Sequence, residues 1–328
     1  MAKEILVEIK DLSVTYQTRI GPVSAVDHIS FNIYKGEILG LVGESGCGKS
    51  TLGKALLRMI DPPGEISSGQ IIFSNENIMN YNDEQMRDFR GRRISMIFQD
   101  PMTSLNPVQR IDEHLIEAIQ VHEKNTKRKE ALSRTETLME RLGIGSDRLI
   151  SYPHQLSGGM RQRVMTGIGL VLNAELIVAD EATTSLDVIV EAKLVDQLRE
   201  IRDEMGITLL MITHNIALVA EMADRIAVMY AGHIIEIGDI EAVFEKPMHP
   251  YTQGLLASVP NIHFDTTEQL YKMPGEPPNL THPPSGCRFH PRCPKAMPVC
   301  PKYEPSLAKS DDSRFIKCWL YQTQPVRG

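Results

Sequence analysis

Gly43-Glu44-Ser45-Gly46-Cys47-Gly48-Lys49-Ser50-Thr51 is the stretch on which the fold turns. It fits G-x-x-x-x-G-K-[ST] and lies between an apolar run, Ile38-Leu39-Gly40-Leu41-Val42, and a segment of helical spacing near Ser50–Ile60. Glycines let backbone N–H groups turn inward around phosphate oxygens, and the helix that follows presents its positive end to them. Lys49 has the reach for β- and γ-phosphates, and the Ser50 hydroxyl is a ligand type suited to Mg²⁺. The alternative is a glycine-rich turn that holds nothing. The complete motif, in strand-to-helix context, argues against it.

Downstream, Leu176-Ile177-Val178-Ala179-Asp180-Glu181 is a second apolar strand that ends in two acids. An Asp in that place can hold Mg²⁺ through water, and the adjacent Glu can orient or deprotonate an attacking water. Alone, Asp180 and Glu181 would read as a solvated strand end; beside a phosphate loop they read as the hydrolytic half of an ATP site. Leu209-Leu210-Met211-Ile212 predicts another buried strand, and 189–205 carries helical spacing. Strands alternating with helices imply an α/β fold with a parallel sheet covered on both faces. The stretch 106–167 has helical runs and no strong strand, which predicts an inserted helical subdomain.

The 328 residues suggest about two domains. A net charge of −7 offers no polybasic footprint, so nucleic acid is not expected as a partner. No apolar run approaches the length of a bilayer span, and Met1-Ala2-Lys3-Glu4 lacks a secretory core, so a cytoplasmic location is expected. Fourteen of the 20 prolines and four of the five cysteines fall after residue 246, which places a boundary near 260. Residues 1–260 are read as the main domain and 261–328 as a loop-rich extension held by something other than a large core.

Tyr152-Pro153-His154-Gln155-Leu156-Ser157-Gly158-Gly159-Met160-Arg161-Gln162-Arg163 resembles the signature segment of ABC-transporter ATPases. The order of phosphate loop, glutamine loop, signature, acidic strand, D-loop and switch histidine is similar to that superfamily over about residues 5–260. Phe98-Gln99-Asp100-Pro101-Met102-Thr103-Ser104-Leu105-Asn106-Pro107, His249-Pro250-Tyr251-Thr252 and the cysteine tail narrow the resemblance to ATP-binding subunits of oligopeptide/dipeptide importers. The resemblance implies a P-loop ABC ATPase fold: a mainly parallel sheet, an antiparallel β subdomain, a helical subdomain and a small cysteine-rich extension. It also assigns roles. Tyr16 would stack on adenine, and Gln99 would sense metal and γ-phosphate. Ser157, Gly158 and Gly159 would contact the γ-phosphate of ATP held by a partner subunit. Asp187, in Ser185-Leu186-Asp187, would cross the dimer interface, and His214 would bond the γ-phosphate. Met160 and Ala182 depart from the superfamily's usual Gln and Pro; the second bears on the pace of hydrolysis.

The implied assembly is a pair of ATPase chains beneath two transmembrane permease subunits, fed by an extracytoplasmic solute-binding protein, at the cytoplasmic face of the membrane. A homologous, non-identical second ATPase chain is expected, with a homodimer as alternative. The segment 106–122, with Glu113 and His114, would face the permeases. The cargo would be di- or oligopeptides, with nickel chelates or oligosaccharides as alternatives on the same machinery. A soluble ABC-type ATPase of DNA repair is disfavoured because the 108 positions from Lys49 to Ser157 carry no heptads.

Cys287, Cys293, Cys300 and Cys318 have three readings. Disulfides suit secreted chains, and zinc usually takes paired C-x₂₋₄-C spacings, although His282 and His290 keep a mixed zinc site open. The third is an iron–sulfur cluster, whose ligand spacing is more varied. The family resemblance implies a [4Fe–4S] cluster, whose role would be to staple the tail; if it is structural, Cys300→Ser is expected to destabilise the tail and leave nucleotide binding at Lys49 largely unaffected. Cys47 reads as a small space-filling residue rather than a nucleophile, the alternative being a thiol whose pKa a helix N-terminus lowers.

Overall fold

A computed structural model of the chain describes residues 3–98, 104–181, 188–258, 273–310 and 314–323, and for 188–194 the backbone alone. The chain opens with two long strands, β1 (Ile5–Thr18) and β2 (Gly21–Tyr34), then β3 (Ile38–Val42), which leads through the glycine-rich loop into α1 (Lys49–Leu56). β4 (Gly64–Phe73), β5 (Glu76–Asn77), α2 (Asp83–Arg92) and β6 (Ile94–Ile97) follow. Next come α3 (Ile111–His122), α4 (Arg128–Arg141), α5 (Ser146–Leu149) and α6 (Gly158–Leu170). Alternation resumes with β7 (Leu176–Asp180), α7 (Val188–Met205), β8 (Thr208–Ile212), α8 (Ile216–Met222), β9 (Arg225–Tyr230) and β10 (His233–Asp239). The remaining elements are α9 (Ile240–Glu245), α10 (Pro250–Ala257), β11 (Ala308–Lys309) and β12 (Phe315–Ile316). These elements fall into two compact units. One is built mainly on Glu76–Ile212; the other joins Val7–Ile33 and Ile38–Asn75 to the chain from Thr213 onward.

In the first unit β6, β7 and β8 run parallel, in the register Ile94↔Leu176 and Leu176↔Thr208. Every residue of β7 and β8 is buried, which is why their sequences are continuous apolar runs rather than alternating ones. Each such Leu, Ile or Val contributes about 1.5–3 kcal/mol by leaving water. The described elements between 106 and 167 are helical, and α3 and α4 each bury an apolar face: Ile111, Leu115, Ile116 and Ile119 of α3, and Ala131 and Met139 of α4.

In the second unit β3 and β9 are parallel, and β9 turns back into β10 through Ala231-Gly232. Both turn residues have positive φ (49° and 85°), as a tight two-residue hairpin requires. β10 then pairs with β12, and β12 with β11, so the tail's two short strands extend a sheet the main chain has already made. A separate antiparallel sheet, in the order β2-β1-β4, completes this unit. Phe289 of the tail is buried edge-on against Tyr230 at 5.2 Å and Tyr251 at 5.4 Å between centroids. The extension therefore borrows its apolar anchor, consistent with its own sequence having little to bury.

His249 caps α10: its Nδ1 accepts the Tyr251 N–H at 3.0 Å, and its own N–H goes to the buried Glu236 carboxylate. Complete burial holds the imidazole neutral and lowers its pKa to about 3. Because the unfolded chain takes up this proton near pH 6.5, stability is full above that value and falls as pH drops toward 3. The expected loss at pH 5.5 is about 1.4 kcal/mol. Urea midpoints measured at pH 7.5 and 5.5 check this, with His249→Asn, which keeps a capping acceptor, showing a shallower dependence than wild type by one proton.

Candidate nucleotide site

The phosphate loop is shaped by two glycines that no other residue replaces. Gly43 leaves β3 at φ 157°, and a Cβ there would stand 2.1 Å from the Met229 carbonyl oxygen. Gly48 is the N-cap of α1 at φ 108°, and a Cβ there would stand 2.0 Å from the Ala25 carbonyl oxygen. No acidic residue occupies the first turn of α1, so its positive end is left for an anion. Lys49 is buried, and its Nζ donates to the carbonyls of Gly43 (2.8 Å) and Glu44 (3.0 Å), which holds the ammonium within the loop. Ser50 and Thr51 follow in the same turn of α1.

Cys47 fills space inside the loop, in keeping with its sequence reading. The helix N-terminus is present, yet burial dominates and pushes the thiol pKa up, not down. With 5% of its surface exposed, Cys47 is a packing residue of the loop. Its carbonyl accepts the Gly232 N–H at 2.9 Å, which ties the loop to the β9–β10 turn.

His214 lies in the same unit. The Thr213 N–H donates to Leu41 at 3.2 Å, so the chain after β8 runs beside the strand that feeds the phosphate loop. Asn215 then caps α8 by accepting the Leu218 N–H. Tyr16 stands opposite Gly64 in the β1–β4 ladder, and a methyl on Gly64 would come within 2.5 Å of its ring. The position is half-buried strand surface.

The acidic strand end and the signature belong to the other unit. Asp180 is 4% exposed at the end of β7. Glu181 follows with φ 47°, a left-handed conformation that costs a non-glycine residue about 1 kcal/mol or more, and its N–H donates to the Ile212 carbonyl at 2.8 Å. Such strain at a candidate catalytic carboxylate is invisible in sequence. Ser157 caps α6, its hydroxyl accepting the Met160 N–H at 3.3 Å. Ser157 and Gly158 are exposed and Gly159 is half-buried, so this helix start is open to a partner. Gln99, Ala182 and Asp187 lie outside the described residues.

Glu113 and His114 are engaged within the chain. Glu113 pairs with Arg128, and the His114 Nε2 accepts the Asn106 N–H at 3.0 Å while its Nδ1 bonds the Arg110 carbonyl. The exposed apolar groups nearby are Val108, Ile150 and Tyr152.

All four tail cysteines are free thiols. The Cys300 Sγ accepts the Met297 N–H at 3.4 Å, and the Cys287 N–H donates to the Cys300 carbonyl at 2.8 Å. Burial pushes the pKa of Cys287 up to about 11 and that of Cys318 up to about 12, the neighbouring cysteines adding to it. The His290 Nδ1 bonds the Cys287 carbonyl at 2.9 Å. Among the described residues no three His, Cys, Asp or Glu side chains stand together as a single metal ion requires.

Sequence reading missed one set of contacts, and Arg292 with it. The Glu44 N–H donates to the Tyr251 hydroxyl at 2.9 Å, and the Glu44 carboxylate takes both guanidinium arms of Arg292, at 2.7 and 2.9 Å. The carboxylate raises the Arg292 pKa further above its ordinary value. Arg288 in turn bonds the Ala231 carbonyl and Asp27. The tail is therefore bonded to the phosphate loop and its supporting turn. The only hint was position: Arg292 lies between Cys287 and Cys293, and Tyr251 in the His249–Thr252 segment.

Residues 26–184 match the family model described as ABC transporter, and residues 235–300 the one described as Oligopeptide/dipeptide transporter, C-terminal region. The Oligopeptide transport ATP-binding protein OppD of Bacillus subtilis (strain 168) is 41% identical over 318 residues, covering 96% of this chain and 88% of that one. The Dipeptide transport ATP-binding protein DppD of Escherichia coli (strain K12) is 42% identical over 318 residues, covering 95% and 96%. Among solved structures, cbiO1 from Clostridium perfringens, part of the ABC transporter complex cbiONQ, aligns with TM-score 0.64 at 27% identity over 74% of this chain and 92% of that one. The dimeric ATP-binding cassette MJ0796, in a post-hydrolysis state bound to ADP and Pi, shares the fold with TM-score 0.66 at 24% identity over 71% and 98%. With a formed phosphate loop, a capped signature helix and relatives that match it from end to end, the chain belongs to the ABC transporter ATP-binding proteins of the oligopeptide/dipeptide type.

Proposed function

We propose that this chain hydrolyses MgATP to drive import of di- or oligopeptides through a membrane transporter. The observation that carries the reading is the phosphate loop: Gly43 and Gly48 hold it open at the positive end of α1, with the Lys49 ammonium already inside it. Lys49 and the loop amides bind the phosphates, the Ser157-Gly158-Gly159 helix start serves the ATP of a partner subunit, and Glu181 polarises the attacking water. Ser50 and Asp180 carry the hydroxyl and carboxylate oxygens that a hard cation takes, and Mg²⁺ when bound neutralises developing phosphate charge. His214 and Gln99 would complete the γ-phosphate contacts, Tyr16 the adenine contact, and Asp187 the link across the ATPase pair.

The peptide assignment is supported by end-to-end identity with relatives named for oligopeptide and dipeptide transport. No described helix is long and apolar enough to cross a membrane. The reading therefore needs permease subunits, docked on the cytoplasmic side near the exposed Val108, Ile150 and Tyr152, with an extracytoplasmic solute-binding protein. ATP turnover and radiolabelled dipeptide uptake by the assembled transporter in vesicles test it; uptake of an oligosaccharide or a nickel chelate but no peptide rejects the peptide cargo. A tag on a permease subunit should co-purify this chain with a second, homologous ATPase, and recovery of this ATPase alone rejects the heterodimer.

The domain reading, 1–260 as the nucleotide-binding domain and 261–328 as the extension, carries a second part. Cys287, Cys293, Cys300 and Cys318 would hold a [4Fe–4S] cluster. What supports it is the donor chemistry: four free thiols within one short tail, the ligand type and number that such a cluster takes, with the Met297 N–H on the Cys300 sulfur. When bound, the group would cross-link the tail. Anaerobic purification should give four irons and four acid-labile sulfides per chain; stoichiometric zinc without sulfide rejects the cluster in favour of zinc.

A further inference from the structure

We infer that Arg292 of the cysteine-rich tail is a positioning residue for ATP, neutralising a carboxylate that the phosphate loop carries within its own sequence. The inference rests on the chain binding ATP, as proposed above. Glu44 is an anionic side chain in a loop built for an anion. A free carboxylate there would repel a triphosphate and compete with it for the loop's donors. The structure removes that conflict. Arg292, 6% exposed at its side chain, places one nitrogen on each Glu44 oxygen in a bidentate pair.

The guanidinium is itself fixed from other sides. Its Nε donates to the Pro274 carbonyl at 2.9 Å, and its Cζ lies 5.8 Å from the centre of the Tyr230 ring. The Glu44 backbone is held as firmly: its N–H donates to Tyr251, and its carbonyl accepts both Lys49 Nζ and the Cys47 N–H. The carboxylate is thus turned onto the tail while the Glu44 backbone stays in the loop. A merely structural strut would hold the tail in place; this pair also cancels charge at the rim of the site. The two roles separate by mutation.

The experiment measures ATP affinity of the full-length chain by displacement of a fluorescent ATP analogue, with thermal midpoints alongside. Arg292→Ala should weaken ATP by about ten-fold or more, since it strands a carboxylate beside the phosphates. Arg292→Ala combined with Glu44→Gln should bring affinity back to within about three-fold of wild type, because the stranded charge is gone. If Arg292→Ala fails to fold, Arg292→Gln provides the same comparison, alone and with Glu44→Gln. Unchanged affinity in the single variant overturns the inference. So does a double variant as weak as the single, which leaves Arg292 a structural strut. Absence of ATP binding by the wild-type chain overturns instead the reading on which the inference rests.

Discussion

Glu181→Gln lowers steady-state ATP turnover of the assembled transporter by about two to four orders of magnitude and leaves ATP binding intact, because it removes the candidate base while keeping the side chain's shape. The position is set apart by geometry as well as by sequence. Glu181 sits at the exit of a fully buried strand, with φ 47° and its N–H bonded to Ile212. A non-glycine residue keeps that conformation only where its surroundings impose it. Phosphate release measured in vesicles, paired with ATP affinity of the isolated chain, checks both halves. Turnover like wild type in the variant would remove Glu181 from the mechanism.

Gly48→Ala abolishes measurable ATP binding by the isolated chain. At φ 108° an alanine is strained, and its methyl would stand 2.0 Å from the Ala25 carbonyl oxygen, backbone that has no room to yield. Opening the N-cap of α1 to relieve this contact disperses the N–H groups that bind phosphate. Gly46→Ala is the control for stability. Its φ of 77° carries a strain of about 1–2 kcal/mol, but no heavy atom lies within 4 Å of its Cβ position. Thermal midpoints should therefore fall much further for Gly48→Ala than for Gly46→Ala, and equal drops would show that the close contact is not what the glycine serves.

The parts legible in sequence are those whose chemistry is contiguous. The phosphate loop, β3, β7, β8 and the start of α6 each work through neighbouring residues, so glycine spacing, apolar runs and a Ser cap announce them locally. β7 reads as an apolar strand ending in Asp180-Glu181, and it closes at Asp180. Cys47 shows where this logic ends. Its place before a helix would by itself lower the thiol pKa, while the packing of Met229 and the β9–β10 turn around the loop buries it and reverses the sign.

By itself, then, the sequence determined the fold class, the phosphate-binding chemistry and the family, because these rest on short motifs and on the period of apolar residues. Only the tertiary structure decided what those motifs touch. Arg292 and Glu44 are 248 positions apart, and nothing local to either marks the other as its partner. The same holds for Tyr251 on the Glu44 N–H, for the burial of His249 and for the left-handed turn at Glu181. Pairing of charges, desolvation of an imidazole and strain at a strand end are all set by which distant segments are packed together. That information enters only when the chain closes on itself.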